Sequence, residues 1–451
     1  MMTRKTKFEK PLLLARRSAL FGSAALLSGC GLYDDWFGTR KIRLPGERES
    51  VRGSTRGLVA DPATARKITL PPPVLNAAWP QPGGNPAHAM GHLQVRDSLN
   101  RAWSSDIGSG GGYRRKILCQ PIASETLAYT MDSDGVISAF DIQNGGRMWR
   151  VDLRGEDVDS TNVGGGLSLD QGVLYAVNGL GNVAGLDAAT GKINWTRDTG
   201  VPARSSPTIA DGRMFYVTLT DRLVALDIKD GRQLWSYQAP AAATSLLGQP
   251  APAYADGLVV AGFGSGELAC LRAESGGVAW TDSLAAASLG RGVSDLSAIR
   301  GLPVIVNGRV YAIGLGGLCV GIDLRSGRRL WERDIAGTDN PCVAGEWLFV
   351  TTTVQQLAAL SRSDGTAAWV TSLPQYENEE KQKDPIHWYG PTLAGDRLIM
   401  VGTHGEALAV SPYTGEIIGK QSLPGAASLG AIVAAGTVYL ITDNGSLTAL
   451  R

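Results

Sequence analysis

The chain has 451 residues, 58 of them Gly and 22 Pro, with 43% hydrophobic and 7% aromatic residues and a formal net charge of +1. That composition suits many short strands and turns around an ordinary globular core. The near balance of 43 basic against 42 acidic residues excludes the basic footprint of a nucleic-acid binder, and no apolar run is long enough for a membrane-spanning helix.

Six basic residues, Arg4, Lys5, Lys7, Lys10, Arg16 and Arg17, precede the apolar stretch "SALFGSAALLSG" (18–29), the two regions expected of a signal peptide. Leu27-Ser28-Gly29-Cys30 resembles the bacterial lipobox, which implies removal of residues 1–29 and lipidation of Cys30. Removal takes away six positive charges and Glu9, lowering the formal charge from +1 by five to −4. Lipidation with several acyl chains gives a stable anchor. Similarity to enterobacterial lipoproteins implies, from Gly31 rather than Asp after the Cys, sorting to the outer membrane. Arg16-Arg17 also fits a twin-arginine signal, so Sec and Tat export both stay open.

Residues 30–97 then form a lipid-anchored tether and extension. The charged part "TRKIRLPGERESVRGSTR" (39–56) reads as the tether, and the Pro-rich part "LPPPVLNAAWPQPGGNPAHAMGH" (70–92), with Trp79, as a segment able to pack on the folded body. "GSGGG" (108–112) opens no helix and is a loop rather than a phosphate cradle.

From residue 139 onward one arrangement recurs: "AFDIQNGGRMW" (139–149), "GLDAATGKINW" (185–195), "ALDIKDGRQLW" (225–235), "CLRAESGGVAW" (270–280), "GIDLRSGRRLW" (321–331), "ALSRSDGTAAW" (359–369) and "AVSPYTGEIIG" (409–419). A period near 45 residues marks a repeat architecture. Within a unit, Asp141, Asp187, Asp227 and Asp323 close a strand and cap the coming turn as Asx-type acceptors. Gly145, Gly191, Gly231, Gly276, Gly327, Gly365 and Gly415 supply the positive φ of a tight hairpin. A Trp then opens the next strand.

Upstream of each copy lies another strand pair, as in "SSPTIADGRMFYVTLTDRLVALD" (205–227), with turns at Asp211-Gly212 and Thr220-Asp221. Each unit is therefore four short antiparallel strands. Pro121, Pro207, Pro252, Pro303, Pro341 and Pro391 mark strand starts, and the other two copies begin near Gly166 and Ala431.

The last segment, "DNGSLTALR" (443–451), is a third strand without a fourth, while "NRAWSSDIG" (100–108) carries Trp103 with no repeat before it. The two complete one unit. The expectation is an all-β, eight-bladed β-propeller over 98–451, its ring closed by an N-terminal strand that completes the C-terminal blade. Trp103, Trp149, Trp195, Trp235, Trp280, Trp331 and Trp369 then read as interblade packing, since seven of eleven Trp occupy the repeat position.

No catalytic constellation stands out. The four His (88, 92, 387, 404) have no zinc spacing, so neither a metal nor a cofactor is expected. Cys119, Cys270, Cys319 and Cys342 lie singly on predicted strands as small hydrophobes, and their pairing stays open.

The small-residue, Asp, Thr-Gly, Trp pattern resembles the pyrroloquinoline-quinone-type propeller repeat. Two kinds of protein carry it. Quinoprotein dehydrogenases have a vicinal Cys pair and calcium ligands, and this chain has no adjacent cysteines. Lipobox and propeller together resemble the BamB family of outer-membrane assembly factors over residues 98–451. The extension and the insertion "YENEEKQKDPIHWYGP" (376–391) depart from its enterobacterial form and look like an alphaproteobacterial variant.

That resemblance implies a non-enzymatic scaffold of the outer-membrane β-barrel assembly machinery, lipid-anchored and facing the periplasm. It also implies binding to the POTRA region of BamA, beside other members of the complex, and contact with nascent barrel proteins. The family's partner surface, carried onto "TGVPARSSP" (199–207) and "SLGRGVSDLSAIRG" (288–301), points to Arg204, Arg291, Asp295 and Arg300. A binding module for another periplasmic ligand would use the central channel instead, and a dehydrogenase would need a bound quinone.

Overall fold

The computed structural model describes residues 58–60, 67–112, 115–154, 164–242, 248–285 and 297–451. Cys30, the signal segment and the charged tether lie outside the described residues, as do Arg291 and Asp295.

Eight four-stranded antiparallel sheets follow one another: blade 1 over 122–152, blade 2 over 165–198, blade 3 over 208–238, blade 4 over 253–283, blade 5 over 304–333, blade 6 over 342–372, blade 7 over 388–422, and blade 8 over 432–450 together with Arg101–Asp106. This is an eight-bladed β-propeller. In blade 8 the outer strand Arg101–Asp106 pairs antiparallel with Ser446–Leu450, placing Trp103 opposite Ala449. A two-stranded hairpin, Tyr376–Asn378 with Lys383–Pro385, stands between blades 6 and 7.

The blade pattern follows from burial. The second and third strands are covered on both faces by neighbouring blades, so they are continuously apolar, as in "MFYV" (214–217) and "LVAL" (223–226). Outer strands face solvent on one side and alternate, as in "QLWSYQ" (233–238). At Asp211-Gly212 both residues have positive φ (48° and 69°), the geometry of a type I′ hairpin turn. Five of the six marker prolines directly precede the first strand of a blade. Pro391 does not: it sits inside Trp388–Ala394, where the register shifts between Tyr389 and Thr392, so the irregularity absorbs the missing N–H.

Each repeat Trp lies opposite a small residue of its own blade, Gly185 for Trp195 and Gly321 for Trp331 among them. Its indole N–H reaches across to the next blade. Trp103, Trp149, Trp195, Trp235, Trp280, Trp331 and Trp369 donate to the carbonyls of Ile142, Ala188, Ile228, Ala273, Leu324, Arg362 and Pro412 at 2.7–3.1 Å. The ring also covers the turn glycine of that next blade. A Cβ at Gly191 would lie 2.7 Å from the Trp149 ring, and one at Gly327 2.5 Å from Trp280. The seven turn glycines have φ between 69° and 78°. They are thus required twice, for their dihedral and for the absent side chain. Asp187 and Asp323 hold the same turns by accepting from the N–H and hydroxyl of Thr190 and Ser326.

The seam between blades 7 and 8 differs. Gly419 stands where the other copies have Trp, and the facing blade has no turn between its third and outer strands, because these are 446–450 and 101–106. Neither the ring nor its receiving glycine exists there. There Gln421 Nε2 of blade 7 donates to the Leu99 carbonyl at 3.3 Å; beyond it Asn100 and Arg451 exchange backbone hydrogen bonds within blade 8, and the Arg451 guanidinium reaches the Ile142 carbonyl of blade 1 across the next seam.

Residues 68–95 cross the ring at its first hairpin turns. The first strand of each blade has an unpaired edge toward the axis, and the extension meets that edge in seven blades. Trp79 exchanges two 2.8 Å backbone bonds with Ala123; Pro80 and Pro86 accept from Leu169 and Tyr254 N–H at 2.7 Å; Ala87 accepts from Ile305 N–H at 2.9 Å. The Gln81 amide pairs with both backbone groups of Ile209, Leu93 N–H donates to Leu393, and Asn76 Nδ2 donates to Val433. Proline suits this path, since a strap that crosses edges supplies carbonyls and needs few N–H partners of its own.

Gly191→Ala and Gly212→Ala place a methyl at the same backbone conformation, but nothing lies within 4 Å of the second site. The left-handed dihedral costs ~1–2 kcal/mol in both, and the indole clash adds ~1–3 kcal/mol at Gly191 alone. Chemical denaturation should therefore show a larger loss for Gly191→Ala; equal losses would mean that ring docking contributes nothing.

Candidate functional site

The connectors that join consecutive blades gather on the face opposite the strap. They surround an axial cavity of about 640 Å³. Pro82 of the strap is part of its wall. A polar cluster, including Lys116, Arg204, Arg300, Asp339 and Gln355, shares its wall with Leu118, Leu302 and Leu429.

A positional rule governs which side chains reach this wall. The residue three before each of the five strand-opening prolines lines the cavity: Leu118, Arg204, Gln249, Arg300 and Thr338, before Pro121, Pro207, Pro252, Pro303 and Pro341. The proline starts a strand at the ring's inner edge, so the turn just before it must pass the axis.

The connector that carries Arg204 is tightly held. Ala203 N–H donates to Asn178 at 3.4 Å, Pro202 accepts from Leu219 N–H at 2.9 Å, and the Ser205 hydroxyl donates to Pro250 at 3.1 Å. Ala203 and Ser205 are buried, and Arg204 between them is half-buried. Desolvation lowers the pKa of its guanidinium. Arg300 is exposed, and among the described residues no hydrogen bond or ion pair holds it. Arg204 and Arg300 thus share one cavity, whereas the placement of Arg291 and Asp295 lies outside the described residues.

Asp339 is the acidic member of that wall. Burial pushes its carboxyl up to about 7, opposed by the Thr338 hydroxyl, which donates at 3.2 Å, by the Arg300 charge and by the Gly390 N–H. Asp339 stays partly exposed, and it lines the cavity. Nearby, Gln355 Oε1 accepts from Trp388 N–H at 2.8 Å, and its Nε2 lies 3.2 Å from His387 Nδ1. Burial also raises Tyr389. Lys116 and Asp339 escape the sequence reading because neither falls in the repeated motif.

Cys119, Cys270, Cys319 and Cys342 are unpaired, and burial pushes their thiols up to about 12, 12, 12 and 11. Among the described residues no three His, Cys, Asp or Glu side chains converge to hold a metal.

The family model described as outer membrane protein assembly factor BamB matches residues 133–371. The Yersinia pestis outer membrane protein assembly factor BamB is 27% identical over 360 residues, covering 76% of this chain and 89% of that protein. Among solved structures, BamB from Moraxella catarrhalis aligns with a TM-score of 0.66 at 21% identity, over 78% of this chain and 99% of the other. The quinohemoprotein alcohol dehydrogenase of Comamonas testosteroni aligns at 0.64 with 13% identity, over 83% and 80%, a likeness of fold alone.

A carboxyl raised in the folded state stabilises fully below its ordinary pKa of about 4 and loses that contribution as pH rises through 7. Asp339→Asn mimics the neutral form, so its thermal midpoint should match the parent at pH 4 and exceed it at pH 8. A constant difference between the two pH values would refute the assignment.

Proposed function

The chain belongs to the outer membrane protein assembly factor BamB family, and on that premise we propose that it is a non-catalytic scaffold in the machinery that assembles and inserts outer-membrane β-barrel proteins. The observation that carries this reading is the family match across blades 1 to 6, on a propeller whose connectors present charged side chains on one face. Loops on a rigid frame can carry a partner site while the blades keep the frame constant.

In this reading the protein sits at the outer membrane on the periplasmic side, anchored through lipidated Cys30. Its partner is BamA, through the POTRA region, with other members of the complex and nascent barrel chains close by. Arg204, Arg291, Asp295 and Arg300 are the proposed contacts. Arg204 suits the role best, because its backbone is pinned on both sides and its guanidinium would reach a partner with little further ordering. The buried thiols, held protonated, are poor nucleophiles, which favours a scaffold over an enzyme.

A mild-detergent pull-down of the tagged protein from its native membrane, read by mass spectrometry, should recover BamA. Arg204→Glu and Arg300→Glu should each reduce that recovery while leaving the melting temperature of the ring unchanged. Absence of BamA under conditions where the rest of the complex survives would reject the scaffold reading.

A further inference from the structure

Among the described residues the strap's inner-edge hydrogen bonds reach every blade except blade 6. Elsewhere the residue that takes part is the second one back from the first hairpin turn: Ile209 pairs with the Gln81 amide, Tyr254 and Ile305 donate to Pro86 and Ala87, and Leu393 accepts from Leu93. In blade 6 that residue is Val343. Ala344 and Trp347 close the two-residue turn as a hydrogen-bonded pair, so the alternation of an antiparallel ladder turns the N–H and C=O of Val343, opposite Leu348, to the free edge. Val343 is buried, and among the described residues neither group has a partner. Buried backbone groups are paired in folded proteins, by water where the protein does not reach them.

Val343 borders a recess of about 80 Å³ between blade 6 and the strap, whose strap side includes Trp79 and His88. Both side chains are buried, and neither Trp79 Nε1 nor His88 Nε2 has a hydrogen-bond partner among the described residues. His88 Nδ1 lies 2.7 Å from the Pro303 carbonyl, which can only accept, so Nδ1 carries the proton and Nε2 is an acceptor. Burial pushes the imidazole down to about 4, which keeps Nε2 unprotonated at neutral pH. The residues around the recess thus bring two donors, from Trp79 and Val343, and two acceptors, from His88 and Val343. A cation cannot serve the donors and an anion cannot serve the acceptors, whereas water serves both. We propose that the recess is a binding site for water, a cluster of about two or three molecules at ~30 Å³ each that joins the strap to blade 6.

Nuclear Overhauser spectroscopy of the purified, nitrogen-labelled full chain tests this. The Trp79 indole and Val343 amide protons should each show a cross-peak to water with the sign of a long-lived bound molecule, and the Ile305 amide, bonded to Ala87, should show none. Trp79→Phe identifies the indole signal by its loss. The Val343 signal is read on the unaltered protein, so the result does not depend on the folding of a variant. Dissolved xenon is the counter-probe, because it enters dry apolar cavities and not polar ones that hold water. It should leave the Trp79 and Val343 resonances unshifted. The absence of either water cross-peak, or a xenon-induced shift at Trp79 or Val343, would overturn the proposal.

Discussion

The ring depends on one contact repeated seven times: an indole from the outer strand of one blade laid on the turn glycine of the next. Apolar area, a hydrogen bond and a backbone constraint meet at that point. The indole brings on the order of 150–250 Å² of surface to the seam, worth roughly 4–6 kcal/mol of gross transfer energy at ~25 cal/mol per Å². Its N–H satisfies a carbonyl left over where the third strand ends, and the glycine leaves room that no other residue could. Because these elements belong to different blades, the contact sets the rotation from each blade to the next. The exception supports this account, since blade 8 has no turn to receive a ring and blade 7 presents Gly419 there.

That interaction was legible in the sequence because it is periodic and made of scarce residue types. Gly and Trp stand four residues apart in six of the motifs, and the structure adds only that the two partners in contact come from adjacent copies. The inner-edge strap was less legible. Its Pro-rich composition says that it cannot form a strand or helix, but which carbonyl meets which blade depends on the closed ring, a product of the whole chain. Pro391 shows a different limit. Proline reports where a ladder N–H is absent, and an irregularity inside a strand satisfies that as well as a strand start does. For the cavity, the spacing between Arg204 and Pro207 held a usable signal. It became readable only once the first strand was known to be the innermost one.

The strap and the connectors give the two faces different work. On one face hairpin turns receive the indoles and the strap satisfies inner strand edges, so substitutions there act on stability. On the other, connectors of unequal length pass the axis away from the indole contacts, so Arg204, Arg300 and Asp339 can be held there without displacing a repeat Trp or its glycine. The same division explains why the charged side chains of the wall sit outside the repeat: a residue inside the motif is committed to capping a turn or packing a seam.

A chamber at the axis is a geometric consequence of eight blades, which is why a quinohemoprotein alcohol dehydrogenase shares this frame at 13% identity. What separates one such protein from another must lie in the few positions that the frame leaves free. Here those positions hold two guanidiniums, a lysine and a carboxyl that burial drives toward neutrality. Desolvation sets the balance among them: it penalises every buried charge, and the carboxyl, whose pKa lies closest to neutral pH when raised, yields first.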